Sequence, residues 1–231
     1  MGVENFYYKD MFDIVLPNLE KRSDKKVLCL GYPDMLVTEE LLTDLYGKEF
    51  VDTIPEDPLP DEVRAWHKSQ LPKIFDPLWL LRHHGFDPVI FDGVVHRGFE
   101  EVVNLNEPLD SKYYEQFDLV IDTGTLEHCF NVGTAFKNVC QSIKKDGYFM
   151  TAAPITKLNH GYWNFGTIVY SDGFGWNGFE ITQEKYLRKE EVLPKEIITR
   201  KKIPLLSIAF IIAKRTEIKE WAWPIQGKYL K

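Results

Sequence analysis

Cysteine is scarce and long apolar runs are missing, and each shortage excludes a class of protein. The three cysteines, Cys29, Cys129 and Cys140, are widely spaced and cannot all pair, so they fit neither a disulfide framework nor a zinc-binding motif. Two of them stand among apolar residues, which favours small core side chains in a reducing compartment. No run approaches the roughly 18 apolar residues of a membrane-spanning helix, and the first residues lack the basic start and apolar stretch of a signal peptide. We therefore expect a cytoplasmic protein with no membrane segment.

Basic residues are outnumbered by acidic ones. Lys and Arg total 28 against 35 for Asp and Glu, which leaves a formal net charge of -7 at pH 7. A general nucleic-acid-binding surface needs clustered Lys and Arg, so this balance argues against nucleic acid as a partner, apart from a local basic patch. With 231 residues, of which 44% are hydrophobic, the chain has the size and composition of a globular α/β protein. We predict a single domain over 1–231.

A short apolar run that ends in an acid stands in the middle of the chain. Residues 117–122 read Phe-Asp-Leu-Val-Ile-Asp and are followed by Thr-Gly-Thr, and then by Leu-Glu-His at 126–128. Near-continuous apolar runs of this length are typical of buried strands in parallel sheets, because helices cover both faces of such sheets. Ligands bind beyond the carboxyl ends of these strands. The polar cluster from Asp122 to His128 is therefore the first place where we expect a functional site.

Similar runs recur along the chain and alternate with helical patterns. One strand is predicted at 25–30, running into Gly31, and the helix after it has Thr38 as its N-cap and Gly47 at its end. Strands that alternate with helices predict a doubly wound α/β sandwich. Further strands are predicted at 88–92, 101–105, 118–122, 148–153 and 205–213, and further helices at 5–21 and 134–145.

Two irregular segments interrupt this order. Pro55, Pro58 and Pro60 stand among several acids, and proline cannot donate the backbone hydrogen bonds that helices and strands need. We predict an inserted Pro-rich loop or flap at about 51–62. Residues 159–179 are rich in glycine, asparagine and aromatic side chains, which favours a loop-and-helix region around a pocket.

The order of these motifs resembles that of the class I S-adenosylmethionine-dependent methyltransferases, within them the small-molecule and sugar methyltransferase group. The resemblance covers roughly residues 25–180 and rests first on the strand that runs into Gly31, on Asp92 at the end of the second strand, and on Asn-Leu-Asn-Glu-Pro-Leu at 104–109. Its most specific part is Asp-Leu-Val-Ile-Asp-Thr-Gly-Thr-Leu-Glu-His with the later Lys-Lys-Asp-Gly at 144–147. The resemblance implies a mostly parallel, seven-stranded sheet with helices on both faces, a Rossmann-like methyltransferase fold.

The same resemblance implies an activity, a cofactor and a set of contacts. The activity is methyl transfer from S-adenosylmethionine to a hydroxyl of a small-molecule acceptor, such as a sugar or nucleotide sugar. A carboxylate at a strand end can accept both ribose hydroxyl hydrogens, and a glycine at the first turn lets the backbone approach the ligand. The implied cofactor contacts are Gly31, Asp92, Asn104, Leu105 and Asp122.

Methyl transfer to a hydroxyl also needs an aligned acceptor, exclusion of water and often a base. His128 follows the strand at 118–122, and His160 stands in the aromatic segment after the next strand, so either could take the proton. The Pro-rich loop and residues 159–176 would form the lid. No metal site is predicted, since the adjacent His83 and His84 lack a third ligand at suitable spacing.

Each of these residues also has a structural interpretation. Asp122 could cap its own turn, and Glu127 and His128 could orient the loop and helix that follow. The family usually has three glycines in its first turn, whereas here Gly31 is followed by Tyr32 and a proline. That departure leaves an alternative open, a catalytically silent methyltransferase-like domain that serves as a partner or scaffold subunit. The sequence also leaves a homo-oligomer open.

Overall fold

The computed structural model describes residues 2–58, 71, 73–189, 191–199 and 201–230. They form two compact units, residues 1–103 and residues 104–231, and each is described separately below. The single domain over 1–231 stays a prediction. Of the expected Pro-rich loop at 51–62, residues 59–62 lie outside the described part. Residues 52–58 follow a short helix, and Glu56 forms an isolated β-bridge with Phe75.

The first unit contains a three-stranded parallel arrangement. Strand β4 (Phe86–Asp92) pairs with β2 (Lys25–Leu30) on one side and with β5 (Glu100–Val102) on the other. A separate parallel pair joins β1 (Val3–Glu4) to β3 (Met35–Leu36). The strands predicted at 25–30 and 88–92 are confirmed. The strand predicted at 101–105 is shorter and begins one residue earlier.

Helices of the first unit begin and end where the local chemistry predicts. The Thr38 hydroxyl accepts a hydrogen bond from the Leu41 N–H at 3.3 Å, and Gly47, with φ 85°, ends the helix in a conformation that glycine adopts readily. The predicted helix at 5–21 is confirmed over 5–19, where a π-helical segment (Met11–Val15) separates two α-helices. The α-helices are α1 (Asn5–Asp10), α2 (Leu16–Leu19), α3 (Glu39–Tyr46), α4 (Lys48–Val51) and α5 (Pro77–His83).

The second unit contains a five-stranded arrangement in the order β6-β7-β10-β8-β9. β6 and β7 are parallel, and β10 runs antiparallel to both β7 and β8, so β8 shares the direction of β6 and β7. The mostly parallel α/β class is confirmed, with eight strands in the described residues, besides the short β1–β3 pair, rather than the seven expected. The strands are β6 (Phe117–Asp122), β7 (Ile143–Pro154), β8 (Phe179–Arg188), β9 (Glu191–Val192) and β10 (Ser207–Arg215).

The helix predicted at 134–145 is wrong at its C-terminal end. Helix α6 (Val132–Ser142) stops before the Lys-Lys-Asp-Gly sequence, because Ile143 already pairs with Phe117 and begins β7. Asp146 has φ 61°, and the pairing register of β6 with β7 shifts between Phe117 and Leu119. The Lys-Lys-Asp-Gly sequence therefore forms an irregularity within β7. The remaining α-helix of the described second unit is α7 (Ile168–Trp176), inside the predicted loop-and-helix region.

Apolar strands form the core of the second unit. Every residue of β6 is buried, and β10 is buried from Ser207 to Ala213, as expected for strands covered on both faces. All three cysteines are free and buried, so burial, predicted for two of them, extends to the third. Among the described residues, no helix combines the length and the apolar character that a membrane crossing would require.

Candidate functional site

In the first unit, Gly31 directly follows β2, and Asp92 is the last residue of the neighbouring parallel strand β4. Leu30 of β2 is in register with Phe91 of β4, and the Gly31 N–H donates a hydrogen bond to the Phe91 carbonyl oxygen at 2.7 Å. Gly31 has φ 74°, which a side chain at this position would make unfavourable. The structure therefore brings these two predicted residues together at one sheet edge.

The Asp92 carboxylate has unused hydrogen-bonding capacity. The side chain is partly exposed, and the N–H of Val94 contacts its Oδ1 at a long 3.4 Å. Its backbone carbonyl accepts a bond from Val103 at 2.9 Å, which continues the β4–β5 ladder. A carboxylate can accept several hydrogen bonds, so oxygen lone pairs of Asp92 are open to a ligand.

A buried arginine, which sequence reasoning did not single out, packs on the turn after Gly31. The Arg97 guanidinium lies 3.6 Å from the centre of the Tyr32 ring, and its Nη2 is 2.6 Å from the Asp34 carboxylate. Its side chain is 4% exposed. A buried ion pair that also stacks on an aromatic ring holds the turn in one conformation.

In the second unit, the segment at 104–109 is attached to helix α6. The Asn138 side chain donates to the carbonyls of Leu105 at 3.1 Å and Glu107 at 2.8 Å, and it accepts from the Leu109 N–H at 3.0 Å. Leu105 is buried, whereas Asn104 is exposed and its amide oxygen accepts from Asn106. Asn104 and Leu105, two of the predicted cofactor contacts, thus stand on a segment with a well-defined backbone.

Asp122 acts as the cap of its own turn. Its Oδ1 accepts hydrogen bonds from the N–H groups of Gly124 at 3.2 Å and Thr125 at 2.8 Å, while Oδ2 accepts from the Thr151 hydroxyl at 2.7 Å. The residue is fully buried, and this burial raises the pKa of its carboxyl. The structural interpretation of Asp122 is therefore observed. Its predicted contact with the cofactor stays a prediction.

Three titratable side chains converge beyond the ends of β6 and β7. Glu127 lies on a short 3-10 turn (Leu126–His128), and its Oε1 is 3.4 Å from His160 Nε2 and 4.0 Å from His128 Nε2. The two imidazole rings contact each other with their centres 5.3 Å apart. The structure thus brings both predicted catalytic histidines together, and it adds Glu127, which sequence reasoning had treated as a residue that orients the loop.

The histidine loop is fastened to this turn by its backbone. The Glu127 carbonyl oxygen accepts from the N–H groups of Tyr162 at 2.9 Å and Trp163 at 3.2 Å, and the Trp163 indole donates to the Cys129 carbonyl at 3.0 Å. A Cβ on Gly161 would lie 2.8 Å from the same Glu127 oxygen. Only glycine fits there without displacing neighbours, so the close approach of His160 to Glu127 depends on Gly161.

Burial sets the protonation of these three groups. It raises the pKa of Glu127 to about 8, and the charge of nearby Asp122 adds to the effect. Burial also lowers the pKa of His128 and of His160, although both side chains remain partly exposed, at 49% and 32%. Near neutral pH the cluster therefore contains neutral imidazoles, whose nitrogen lone pairs can accept a proton or bind a cation, beside a largely protonated carboxyl.

An apolar cavity of about 780 Å³ lies in the second unit. It is enclosed by helix α6, by the predicted irregular segment with α7, and by the C-terminal segment. Cavities of this size and character accept small molecules. Its aromatic lining residues are Phe136, Trp163, Phe165, Phe174, Trp221 and Trp223.

No family model matches the chain, and no curated protein matches it in sequence. Among solved structures, a provisionally assigned sarcosine dimethylglycine methyltransferase from Galdieria sulphuraria is similar, with 9% identity, a TM-score of 0.51 and coverage of 90% of this chain and 84% of that chain. The N-methyltransferase NodS from Bradyrhizobium japonicum WM9, in complex with S-adenosyl-L-homocysteine, is 8% identical over 92% of this chain and 88% of that chain, with a TM-score of 0.45. With a TM-score below 0.5, the NodS structure does not strengthen the assignment of the fold. At such identity the likeness establishes the fold alone, and the methyltransferase fold expected from the motifs is confirmed.

Proposed function

We propose that the protein is an S-adenosylmethionine-dependent methyltransferase that acts on a hydroxyl of a small molecule, such as a sugar or nucleotide sugar. The observation that carries the proposal is the pair of strand ends at Gly31 and Asp92 in a chain with a methyltransferase fold. Ligands of open α/β sheets bind at such strand ends. The acidic charge balance of the chain is compatible with a small acceptor.

The residues of the first unit fit the polar part of such a cofactor. Asp92 has free carboxylate lone pairs for ribose hydroxyls, and the backbone at Gly31 carries no side chain that would block a ligand. The cofactor contacts of Asn104 and Leu105, in the second unit, stay predictions. Because both oxygens of Asp122 already accept hydrogen bonds, we assign Asp122 the role of shaping the turn that the ligand would contact.

The acceptor chemistry is assigned to the histidines. The bound cofactor supplies an electrophilic methyl group, and the acceptor hydroxyl must lose a proton in the same reaction. His128 and His160 are neutral near pH 7 and their side chains are partly exposed, so either imidazole can take that proton. Tyr162 and Trp163 beside them provide aromatic surface for excluding water.

The test is calorimetric titration of S-adenosylhomocysteine into the purified chain. Wild type is expected to bind in the micromolar range, and Asp92→Ala should weaken binding at least about tenfold, the loss of roughly 1.4 kcal/mol, because two charge-assisted hydrogen bonds disappear. Asp87→Ala, an exposed acid on the same strand, is the matched control and should bind like wild type. Equal affinity in all three proteins would remove Asp92 from the site. Absence of binding at millimolar ligand in folded wild type would overturn the function.

The alternative, a catalytically silent scaffold subunit, has no observation among the described residues in its favour. A cytoplasmic location and a homo-oligomeric state stay predictions. Their direct measurements are fractionation of cells that express the tagged chain and sedimentation of the purified protein.

A further inference from the structure

The cluster formed by Glu127, His128 and His160 has the composition of a metal-binding site. One oxygen or nitrogen atom from each residue lies within 4.8 Å of the others. Two imidazoles and one carboxylate are ligands of zinc and of related transition-metal ions, whereas magnesium and calcium prefer sites made of oxygen atoms. The ligand types therefore favour a divalent cation of intermediate hardness, such as Zn²⁺.

The second observation is that the innermost atoms of the cluster have no hydrogen-bond partner. Glu127 is 0% exposed, and within the described part of the chain neither of its carboxyl oxygens nor His160 Nε2 makes a hydrogen bond. Burying polar groups without partners is unfavourable, because they lose their hydrogen bonds to water and gain none in return. These buried atoms destabilise the ligand-free fold. A ligand that binds between them would remove that destabilisation.

The distances are close to those of a coordinated ion. Two ligands that are each about 2.1 Å from a tetrahedral ion are about 3.4 Å apart. The separation between Glu127 Oε1 and His160 Nε2 is 3.4 Å, so this pair needs no rearrangement. His128 Nε2 is 4.0 Å from the same oxygen, and its half-exposed side chain can move inward by rotation. Glu127 Oε1 and His160 Nε2 thus form the prearranged part of the site.

The backbone around the cluster holds these ligands in position. Gly161 packs directly against Glu127, and the two N–H groups that follow it bond to the Glu127 carbonyl. The carbonyl oxygen is occupied in this way, while the carboxyl group of Glu127 makes no hydrogen bond to any of the residues that the structure describes. Metal sites need such contacts, because they hold the ligand side chains in the orientation that coordination requires.

We propose that Glu127, His128 and His160 bind one divalent transition-metal ion, for which Zn²⁺ is the probe. Three protein ligands leave a coordination position open, and the exposed sides of both histidines place that position within reach of small molecules. The site would accept an oxygen donor, such as a hydroxyl or carboxylate.

A consequence for catalysis follows, and it rests on the proposed function. An acceptor hydroxyl bound at the open position would lose its proton more readily, because the cation stabilises the resulting oxyanion. The Nε2 lone pairs of the histidines would then be engaged by the ion, so the hydroxyl proton would pass to solvent on the exposed side of the cluster. The ion would lower the pKa of the hydroxyl, and no histidine would act as the base. Metal binding itself does not depend on that function.

The experiment is titration of Zn²⁺ into chelator-treated, full-length protein in the absence of any other ligand. Wild type should bind one ion per chain at this site, and Mg²⁺ at the same concentration should not bind. Glu127→Gln and His160→Gln should each lower Zn²⁺ affinity about 100-fold, and His128→Gln about tenfold, since its side chain is the most exposed. His96→Gln changes an exposed histidine outside the cluster and should bind like wild type.

A spectroscopic measurement on the wild-type protein tests the proposal even if the variants fail to fold. Co²⁺ in a four-coordinate site gives intense visible absorption, which Zn²⁺ should displace in equal amount. Lack of stoichiometric Zn²⁺ binding, or binding unchanged in both Glu127→Gln and His160→Gln, would overturn the proposal in favour of a proton shared within the cluster. Because Asp92→Ala tests the methyl donor site and leaves the cluster intact, failure of one proposal is distinguishable from failure of the other.

Discussion

Replacing Glu127 with glutamine should change how the stability of the metal-free chain depends on pH. The pKa of this carboxyl is raised to about 8 in the folded chain from 4.5, its ordinary value and that expected in the unfolded chain. Between these values the folded state holds a proton that the unfolded state has lost. The stabilising contribution is therefore complete below pH 4.5 and is lost as the pH rises towards 8.

The magnitude follows from the linkage between proton binding and folding. At about 1.4 kcal/mol per pKa unit, the whole interval corresponds to an upper limit of about 5 kcal/mol. Between pH 6 and pH 9 the loss is roughly 3 kcal/mol at most, because part of the interval lies below pH 6. Glutamine has nearly the same shape and no charge to lose, so its variant should not show this loss.

The assay is urea unfolding of wild type and Glu127→Gln at several pH values, with chelator present throughout. The stability difference between the two should grow in favour of the variant by roughly 1–3 kcal/mol from pH 6 to pH 9. Glu220→Gln, an exposed glutamate of the same unit, is the control and should parallel wild type. Parallel curves for Glu127→Gln and wild type would refute the assignment of a buried, unpaired carboxyl.

Two further predictions concern the supports of the cluster. In Gly161→Ala the new Cβ would meet the Glu127 oxygen at 2.8 Å and its Cγ at 2.9 Å, so we expect about 1–3 kcal/mol of destabilisation in thermal unfolding, whereas Gly166→Ala, with nothing within 4 Å, should stay within about 0.5 kcal/mol. Equal effects of the two changes would contradict the close packing. Thr151→Val removes the hydroxyl that donates to Asp122 at 2.7 Å and should cost about 1–3 kcal/mol in urea unfolding, since a fully buried carboxylate loses a partner. A loss under about 0.5 kcal/mol would mean that the bond contributes little.

Most strands could be predicted because their apolar runs are local and nearly continuous. The exceptions are β8 and the two-residue strands β1, β3 and β9. The sequence of β8, Phe-Glu-Ile-Thr-Gln-Glu-Lys-Tyr-Leu-Arg, is largely polar and partly exposed, so it lacks that pattern. The wrong end of the helix after β6 has a related cause. Lys-Lys-Asp-Gly has the composition of a helix stop, but pairing of Ile143 with Phe117 ends the helix earlier.

The candidate site could be predicted in part. Asp92 and Gly31 were identified because strand ends are visible in the sequence, and His128 and His160 because each follows a strand. Glu127 was underrated, since nothing in the sequence indicates that its carboxyl would be buried without a partner. Arg97 was missed because its contact with Asp34 joins residues 63 positions apart.

The sequence by itself therefore determined which apolar runs become strands, where their carboxyl ends fall, and that polar residues stand at those ends. Apolar periodicity and turn-forming residues act over a few positions, so they can be read locally. Tertiary structure alone decided that Glu127 and His160 meet. They meet because β6 and β7 are parallel neighbours, which brings the segments after both strands to one edge, and because Gly161 allows the second segment to pack against the first. Whether a buried carboxyl finds a partner depends on every side chain around it, and only the folded chain settles that.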